Sequence, residues 1–286
     1  MNYAALIQNR RSVRQFREQI VPFELLTQVK QYYQNAVRRL IPQIETTLYI
    51  FGTDAREALE GAAGYHKFLV GAPQYLVLLS SKHPQAGLNA GFVMEDMVLK
   101  LADLGLDSCW VTFTDSDHVK DALGLESDLQ VAAIAAFGYG EKTTRRLRLN
   151  IRSMSNIDII AKRHYFEPKV SVRELVHRDQ WGSRDGLEDA IGFYDDMLWE
   201  AFYAASLAPS YLNRQAYGFL LKPGSVTLVS KPDEYNTPID SDLSLGIVLH
   251  HFTAVARDWA GNLRWRFDPE GVDLPEGHKA VASAAL

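Results

Sequence analysis

Three arginines and a hydroxyl fall within the five residues Arg10-Arg11-Ser12-Val13-Arg14. Guanidinium forks pair bidentately with phosphate oxygens, and a serine hydroxyl can hold a phosphate or sugar oxygen, so the cluster suits a phosphate ester. The plain alternative is a solvated basic face. In the second half of the chain, Ala208-Pro209-Ser210-Tyr211-Leu212-Asn213-Arg214-Gln215-Ala216-Tyr217 gathers small, amide and aromatic side chains where an amphipathic helix stops. Pro209 cannot extend that helix, and the outward turn is expected to leave Ser210, Asn213 and Gln215 free to hydrogen-bond a flat, polar-edged ring. An ordinary helix-stop loop is the alternative here.

The elements that must position these groups follow from periodicity and turn chemistry. Helices are expected at Tyr3–Gln8, Pro22–Arg39, Ala55–Gly61, Ala90–Leu104 and Ser116–Leu123, with strands at Tyr75–Ser80, Cys109–Phe113 and Val131–Phe137. A charged connector, Arg145–Arg163, leads to a helix at Leu187–Leu207, strands at Tyr217–Lys222 and Ser225–Val229, and a helix at Leu243–Trp259. Residues 267–286, rich in Pro, Gly and Ala, read as a tail. Helices grouped around a mostly antiparallel sheet predict an α+β fold.

Together the two chemical segments, Arg-Arg-Ser-x-Arg-x-Phe and Ala-Pro-Ser-x-x-Asn-x-Gln-x-aromatic, resemble the nitroreductase-like flavoproteins. Gly71-Ala72-Pro73-Gln74-Tyr75, Leu104-Gly105-Leu106-Asp107-Ser108-Cys109-Trp110 and the strand ending in Gly138-Tyr139-Gly140 agree with that family. Their order departs from it. The family's Pro-Ser loop follows the arginine motif by one helix, where this chain has Tyr33–Ile44 instead. The loop stands near Ser210, after a helix spaced like Phe23–Tyr33, and Leu243–Trp259 parallels Gly91–Leu104 with Met97-Val98-Leu99 set against Ile247-Val248-Leu249. Ser171-Val172-Arg173 reads as a remnant of Ser12-Val13-Arg14. The expectation is an internal duplication, halves at roughly 1–160 and 161–286, in which one cofactor seat is built from both copies of a fused dimer. Chance similarity of two helix pairs is the alternative.

The resemblance implies FMN as bound cofactor and NAD(P)H as transient co-substrate, with electrons passed to a nitroaromatic, quinone or other flat acceptor in ping-pong fashion. It places Arg10, Arg11 and Ser12 toward phosphate and ribityl oxygens and Arg14 toward the pyrimidine edge, where a reduced flavin gathers negative charge. Pro209, Ser210, Asn213 and Gln215 line the other side. Lys67 stands where the family has a second basic contact, with a surface lysine as the alternative, and one of Arg145, Arg146 and Arg148 is expected to meet phosphate. Backbone at Val111–Thr114 is implied beside N5, and Tyr65 and Tyr211 are candidates for covering the substrate side. Ala216 and Tyr217 replace the family's proline and tryptophan. No catalytic acid or base is required of the protein. The rival is a flavin-binding or flavin-free protein that kept the fold and lost turnover, acting as a sensor or interaction module.

Composition sets outer bounds. A net charge of -5 argues against nucleic acid as principal partner. One cysteine, Cys109, fits a reducing cytosol and reads as a buried small residue. No signal peptide or membrane span is expected, so a cytoplasmic location is the expectation, and a monomer is expected because the chain resembles a fused dimer. His250 and His251 are adjacent and point to different helix faces, and the other histidines stand apart from carboxylates at ligand spacing. Each reads as a surface or satisfied histidine, and no metal site is expected.

Overall fold

The computed structural model describes residues 1–65, 68–141, 146–153, 156–162, 168–192 and 196–286, with only the backbone described at 146–153, 156–162, 192 and 196. The first half runs α1 (Tyr3–Asn9), α2 (Phe23–Asn35), β1 (Thr46–Phe51), α3 (Ala55–Leu59), β2 (Gln74–Ser80), α4 (Ala86–Asp103), β3 (Asp107–Val111), α5 (Ser116–Leu123) and β4 (Gln130–Gly138). A hairpin of β5 (Arg146–Ser153) and β6 (Asn156–Lys162) follows, where a charged connector was expected. The second half contains α6 (Val172–Leu175), β7 (Val176–Arg178), α7 (Leu187–Gly192), α8 (Asp196–Ser206), a 3-10 turn (Tyr211–Asn213), β8 (Tyr217–Lys222), β9 (Ser225–Ser230), α9 (Pro238–Ala260), β10 (Arg266–Phe267) and β11 (Lys279–Ala285).

The two halves repeat one wiring. The first sheet is ordered β1-β2-β4-β3 and the second β10-β11-β9-β8-β7, so β8-β9-β11-β10 retraces β1-β2-β4-β3. In each half the long helix lies between the second and third strands, α4 between β2 and β3 and α9 between β9 and β10. All pairings within these sheets are antiparallel except β7 on β8. The expected α+β class and mostly antiparallel sheets are therefore observed. The expected C-terminal tail is a strand instead: β11 sits between β9 and β10 and buries Val281, Ala282 and Ala284. Its small residues suit a crowded sheet face; a Pro- and Gly-rich approach hides it in the sequence.

α4 and α9 pack on each other at the centre. Continuous apolar runs bury both almost all round, as a helix clamped between layers must be. Close approach is made possible by glycine. A Cβ on Gly91 would strike the Leu243 carbonyl, and one on Gly246 would strike the Leu88 carbonyl. This reciprocity matches Gly91 to Gly246 and Leu88 to Leu243 about a local two-fold, so Ile247-Val248-Leu249 match Phe92-Val93-Met94. The register expected from Met97-Val98-Leu99 is corrected accordingly. The remnant reading of Ser171 also falls. Ser171 caps α6 in a capping box with Glu174, as Asn2 caps α1, whereas Ser12 lies in an extended bridge.

Candidate functional site at strand β3

β3 is the common border of the two sequence-predicted patches. On one side, α1 ends and the chain turns extended through Arg10, so that Ser12 bridges Ser108 and Val13 N donates to Ser108 O at 2.9 Å. Arg10 turns inward with its side chain 8% exposed, and its Nε lies 3.5 Å from Glu95 Oε1. Its Nε and Nη1 find no hydrogen-bond partner among the described residues. Arg11 is exposed and donates to the carbonyls of Gln8 and Arg10. Partial desolvation and the adjacent Arg10 charge lower its pKa. Arg14 is exposed as well.

At the other end of β3, Gly64 N donates to Thr112 O at 2.7 Å, which sets Tyr65 edge-on to Tyr211 with ring centroids 6.3 Å apart. Thr112 Oγ1 donates to Asp240 Oδ1 at 3.0 Å, and Tyr211 N donates to Ser244 Oγ at 3.2 Å. Thus α9 holds the Pro209–Gln215 turn against the exit of β3. Burial and the Asp240 carboxylate push the Tyr211 hydroxyl's pKa up. From Ser108 to Thr112 the strand advances roughly 13 Å at about 3.3 Å per residue. The arginine segment and the late turn therefore share one strand, contributed to from both halves.

The turn itself is not free in the way expected. Leu212, Asn213 and Gln215 all have positive φ, 48°, 57° and 51°. Left-handed backbone costs roughly 1 kcal/mol or more at a non-glycine residue and persists only where neighbours enforce it. Asn213 Nδ2 donates to Pro168 O at 2.9 Å, and its Oδ1 accepts from Lys169 Nζ at 2.9 Å. Gln215 Oε1 accepts from Val170 N at 2.7 Å, and its Nε2 donates to Pro168 O and Asn213 O. Ser210 Oγ accepts from Gln215 N at 3.0 Å. The amides of Asn213 and Gln215 thus shape the turn through the 168–170 segment, and the expectation that they stand free for a ligand is corrected. Pro209 and Ser210 are half-buried.

Behind Arg10 lies a buried polar cluster that sequence spacing does not reveal. His251 Nε2 lies 2.9 Å from Glu95 Oε1 and His250 Nε2 3.0 Å from Asp96 Oδ1, with both pairs fully buried. The local two-fold matches Glu95 to His250 and Asp96 to His251, so each bond is the image of the other. Glu95 Oε2 accepts from Trp110 Nε1 on β3 at 3.0 Å. Asp96 also accepts from Tyr3, Tyr32 and the Arg38 amide. Burial works against ionising Glu95, but Arg10 and His251 hold its pKa below the usual carboxylate range. Asp96 is held low against burial by His250 and its other donors. Both are satisfied histidines, held by contacts that cross between halves, where no local spacing can show them.

Lys67 and Arg145 lie outside the described residues, as do the side chains of Arg146 and Arg148. The backbone of Arg146 pairs with Lys162 and that of Arg148 with Ile160 in the hairpin. A separate cavity of about 560 Å³, lined by Tyr3, Tyr32, Arg38, Met197, Arg257 and Trp259, contains none of the residues singled out from the sequence. Among the described residues no group of three or more metal-ligating side chains occurs, and no helix is long and apolar enough to cross a membrane.

Comparison with known proteins agrees with the wiring. A solved structure from Thermotoga maritima, described as a "putative nitroreductase", matches with a TM-score of 0.59 at 20% identity, covering 100% of this chain and 94% of that one. A nitroreductase family protein from Clostridium novyi NT matches at TM-score 0.43 and 17% identity over 49% of this chain and 86% of its own. An FMN-dependent nitroreductase from Clostridium difficile R20291 matches at TM-score 0.40 and 20% identity over 49% and 88%. No curated protein matches the chain. The sequence model of the family described as "Putative TM nitroreductase" matches residues 2–173, more than half of the chain, which carries the arginine segment, α4 and β3. The chain belongs to that nitroreductase family.

Proposed function

We propose that the chain is an FMN-dependent oxidoreductase with one flavin seat, formed along β3 between the Arg10–Arg14 segment and the Pro209–Gln215 turn. The observation that carries this reading is the attachment of both segments to one strand, Ser12 at Ser108 and Tyr211 beside Thr112 through α9. The fit of a phosphorylated flavin rests on Arg10, whose buried Nη1 is a cationic donor without a hydrogen-bond partner among the described residues. When bound, FMN would supply hydride and electron transfer between NAD(P)H and a flat acceptor.

The protein's part is positioning and electrostatics. Arg10, Arg11 and Ser12 bind the phosphate and ribityl oxygens, and Arg14 supplies positive charge at the pyrimidine edge. Lys67 and one of Arg145, Arg146 and Arg148 add basic contacts. The braced turn sets Ser210 and Tyr211 on the opposite side. Tyr65 and Tyr211 cover the face on which donor and acceptor alternate. Such shared use of one face gives ping-pong kinetics with a nitroaromatic or quinone acceptor. One seat per chain, with halves divided near residue 160, makes a monomer sufficient.

The test is to add FMN to purified protein and then NADH or NADPH without oxygen. The expected result is a yellow complex that bleaches and regains colour with a nitroaromatic or quinone, giving parallel double-reciprocal plots. A protein that binds FMN without bleaching, or ignores it, points instead to a sensor or interaction module.

A further inference from the structure

His251 is fully buried on α9 with both ring nitrogens committed. Nδ1 lies 2.9 Å from Ala204 O and Nε2 2.9 Å from Glu95 Oε1. A carbonyl can only accept, so Nδ1 carries a hydrogen. Glu95 accepts from Trp110 and faces Arg10, both of which suit an ionised carboxylate. The contact between Nε2 and Oε1 then needs a hydrogen of its own, because two lone pairs do not close to that distance. The bonding pattern is that of a ring carrying two protons.

The charges around the ring are few. α4 presents Glu95 and Asp96, the segment after α1 presents Arg10, α9 presents His250, and α8 presents the Ala204 carbonyl. Asp96 is taken up by His250, Tyr3, Tyr32 and the Arg38 amide. Arg10, Glu95 and His251 therefore sum to one positive charge when the ring is protonated and to zero when it is not. Only in the first state is the Arg10 charge available to an anion.

We infer that Glu95 and His251 are positioning residues that make phosphate binding at Arg10 proton-linked: the His251 proton neutralises Glu95 and releases the Arg10 guanidinium toward an anionic phosphate oxygen. The inference rests on the flavin reading above. Burial lowers the pKa of the ring against the pull of Glu95, so the proton is lost more readily than from an exposed histidine as pH rises.

The experiment measures dissociation constants for FMN and riboflavin by flavin fluorescence, from about pH 5 to about pH 8, on the full chain and on the variants His251→Gln and Glu95→Gln. At the acidic end the wild type is expected to bind FMN about tenfold or more tightly than His251→Gln. The ratio closes toward one as pH rises, by up to about tenfold per pH unit for one linked proton. Glu95→Gln, with no carboxylate to neutralise, holds its advantage over His251→Gln throughout. Riboflavin, which lacks the phosphate, binds all three alike and reports an intact seat. A pH-independent ratio, or equal loss of both ligands in both variants, overturns the inference. Failure of the wild type to bind either ligand removes the flavin reading itself, and this inference with it.

Discussion

His251 of α9 and Glu95 of α4 meet across the two halves of the chain, Nε2 2.9 Å from Oε1, with neither side chain exposed. That single contact joins the arginine segment to the helix that leads into the late turn, since Glu95 faces Arg10 and His251 holds the Ala204 carbonyl of α8. In a homodimer such a bond would join two subunits; here it lies within one fold.

Acid should unfold the protein through this centre. Glu95 and Asp96 have folded-state pKa values below their ordinary ones, so their stabilisation is present above about pH 4 and is lost as pH falls through the folded values. Asp96→Asn keeps the shape but leaves a poorer acceptor for His250, Tyr3 and Tyr32. Thermal melts across pH should show the variant roughly 2–4 kcal/mol less stable at neutral pH, with a shallower acid limb. An unchanged acid limb would detach Asp96 from the acid transition.

Asp242 behaves in the opposite sense. Burial raises its carboxyl to about 6, only partly countered by Lys279. A raised carboxyl favours the protonated fold, so stability falls as pH rises from about 4 to about 6 and the penalty persists above that. Asp242→Asn should gain about 2 kcal/mol near pH 8 and lose that gain below about pH 4. Denaturant titration at the two pH values measures the difference directly.

The helix crossing should tolerate no added methyl group. Gly246→Ala would drive its Cβ into the Leu88 carbonyl, which is backbone and cannot swing aside. Overpacking of this kind costs about 1–3 kcal/mol or more, expected as a lowered melting midpoint. Gly261→Ala, where a Cβ meets open space but φ is 66°, gives a comparison in which only backbone strain acts.

Asn213 separates loop shape from direct contact. Asn213→Gly permits the φ of 57° but removes the bonds to Pro168 and Lys169; Asn213→Ala loses the bonds and strains the backbone as well. If the side chain acts by bracing the turn, FMN affinity should fall about tenfold or more in Ala and less in Gly, with stability lowered by about 1–2 kcal/mol in Ala. Equal losses of affinity in both variants would instead favour a direct contact.

The sequence made the chemical residues legible where they are local. Arg10 to Arg14 and Ser210 to Gln215 stand out because cations and amides cluster where helices stop, and β8 and β9 follow from alternation around the Pro223-Gly224 turn. What escaped depends on contacts between distant segments. The Asn213 and Gln215 amides look free until the 168–170 segment is laid against them, and His250 and His251 look unpaired until α4 crosses α9. β1 was missed because all of its residues are only half-buried, and β11 because small residues carry little strand signal. Helix ends drifted for ordinary reasons: α9 begins at Pro238, capped by Thr237, well before the apolar run that marks it.

The most direct measurement is a crystal structure of the chain grown with FMN. One flavin per chain is expected along β3, its phosphate at Arg10 and Ser12 and its ring between the Val111–Thr114 backbone and Tyr211. Flavin bound elsewhere, such as in the cavity between Tyr32 and Trp259, or no flavin at saturating concentration, would contradict it.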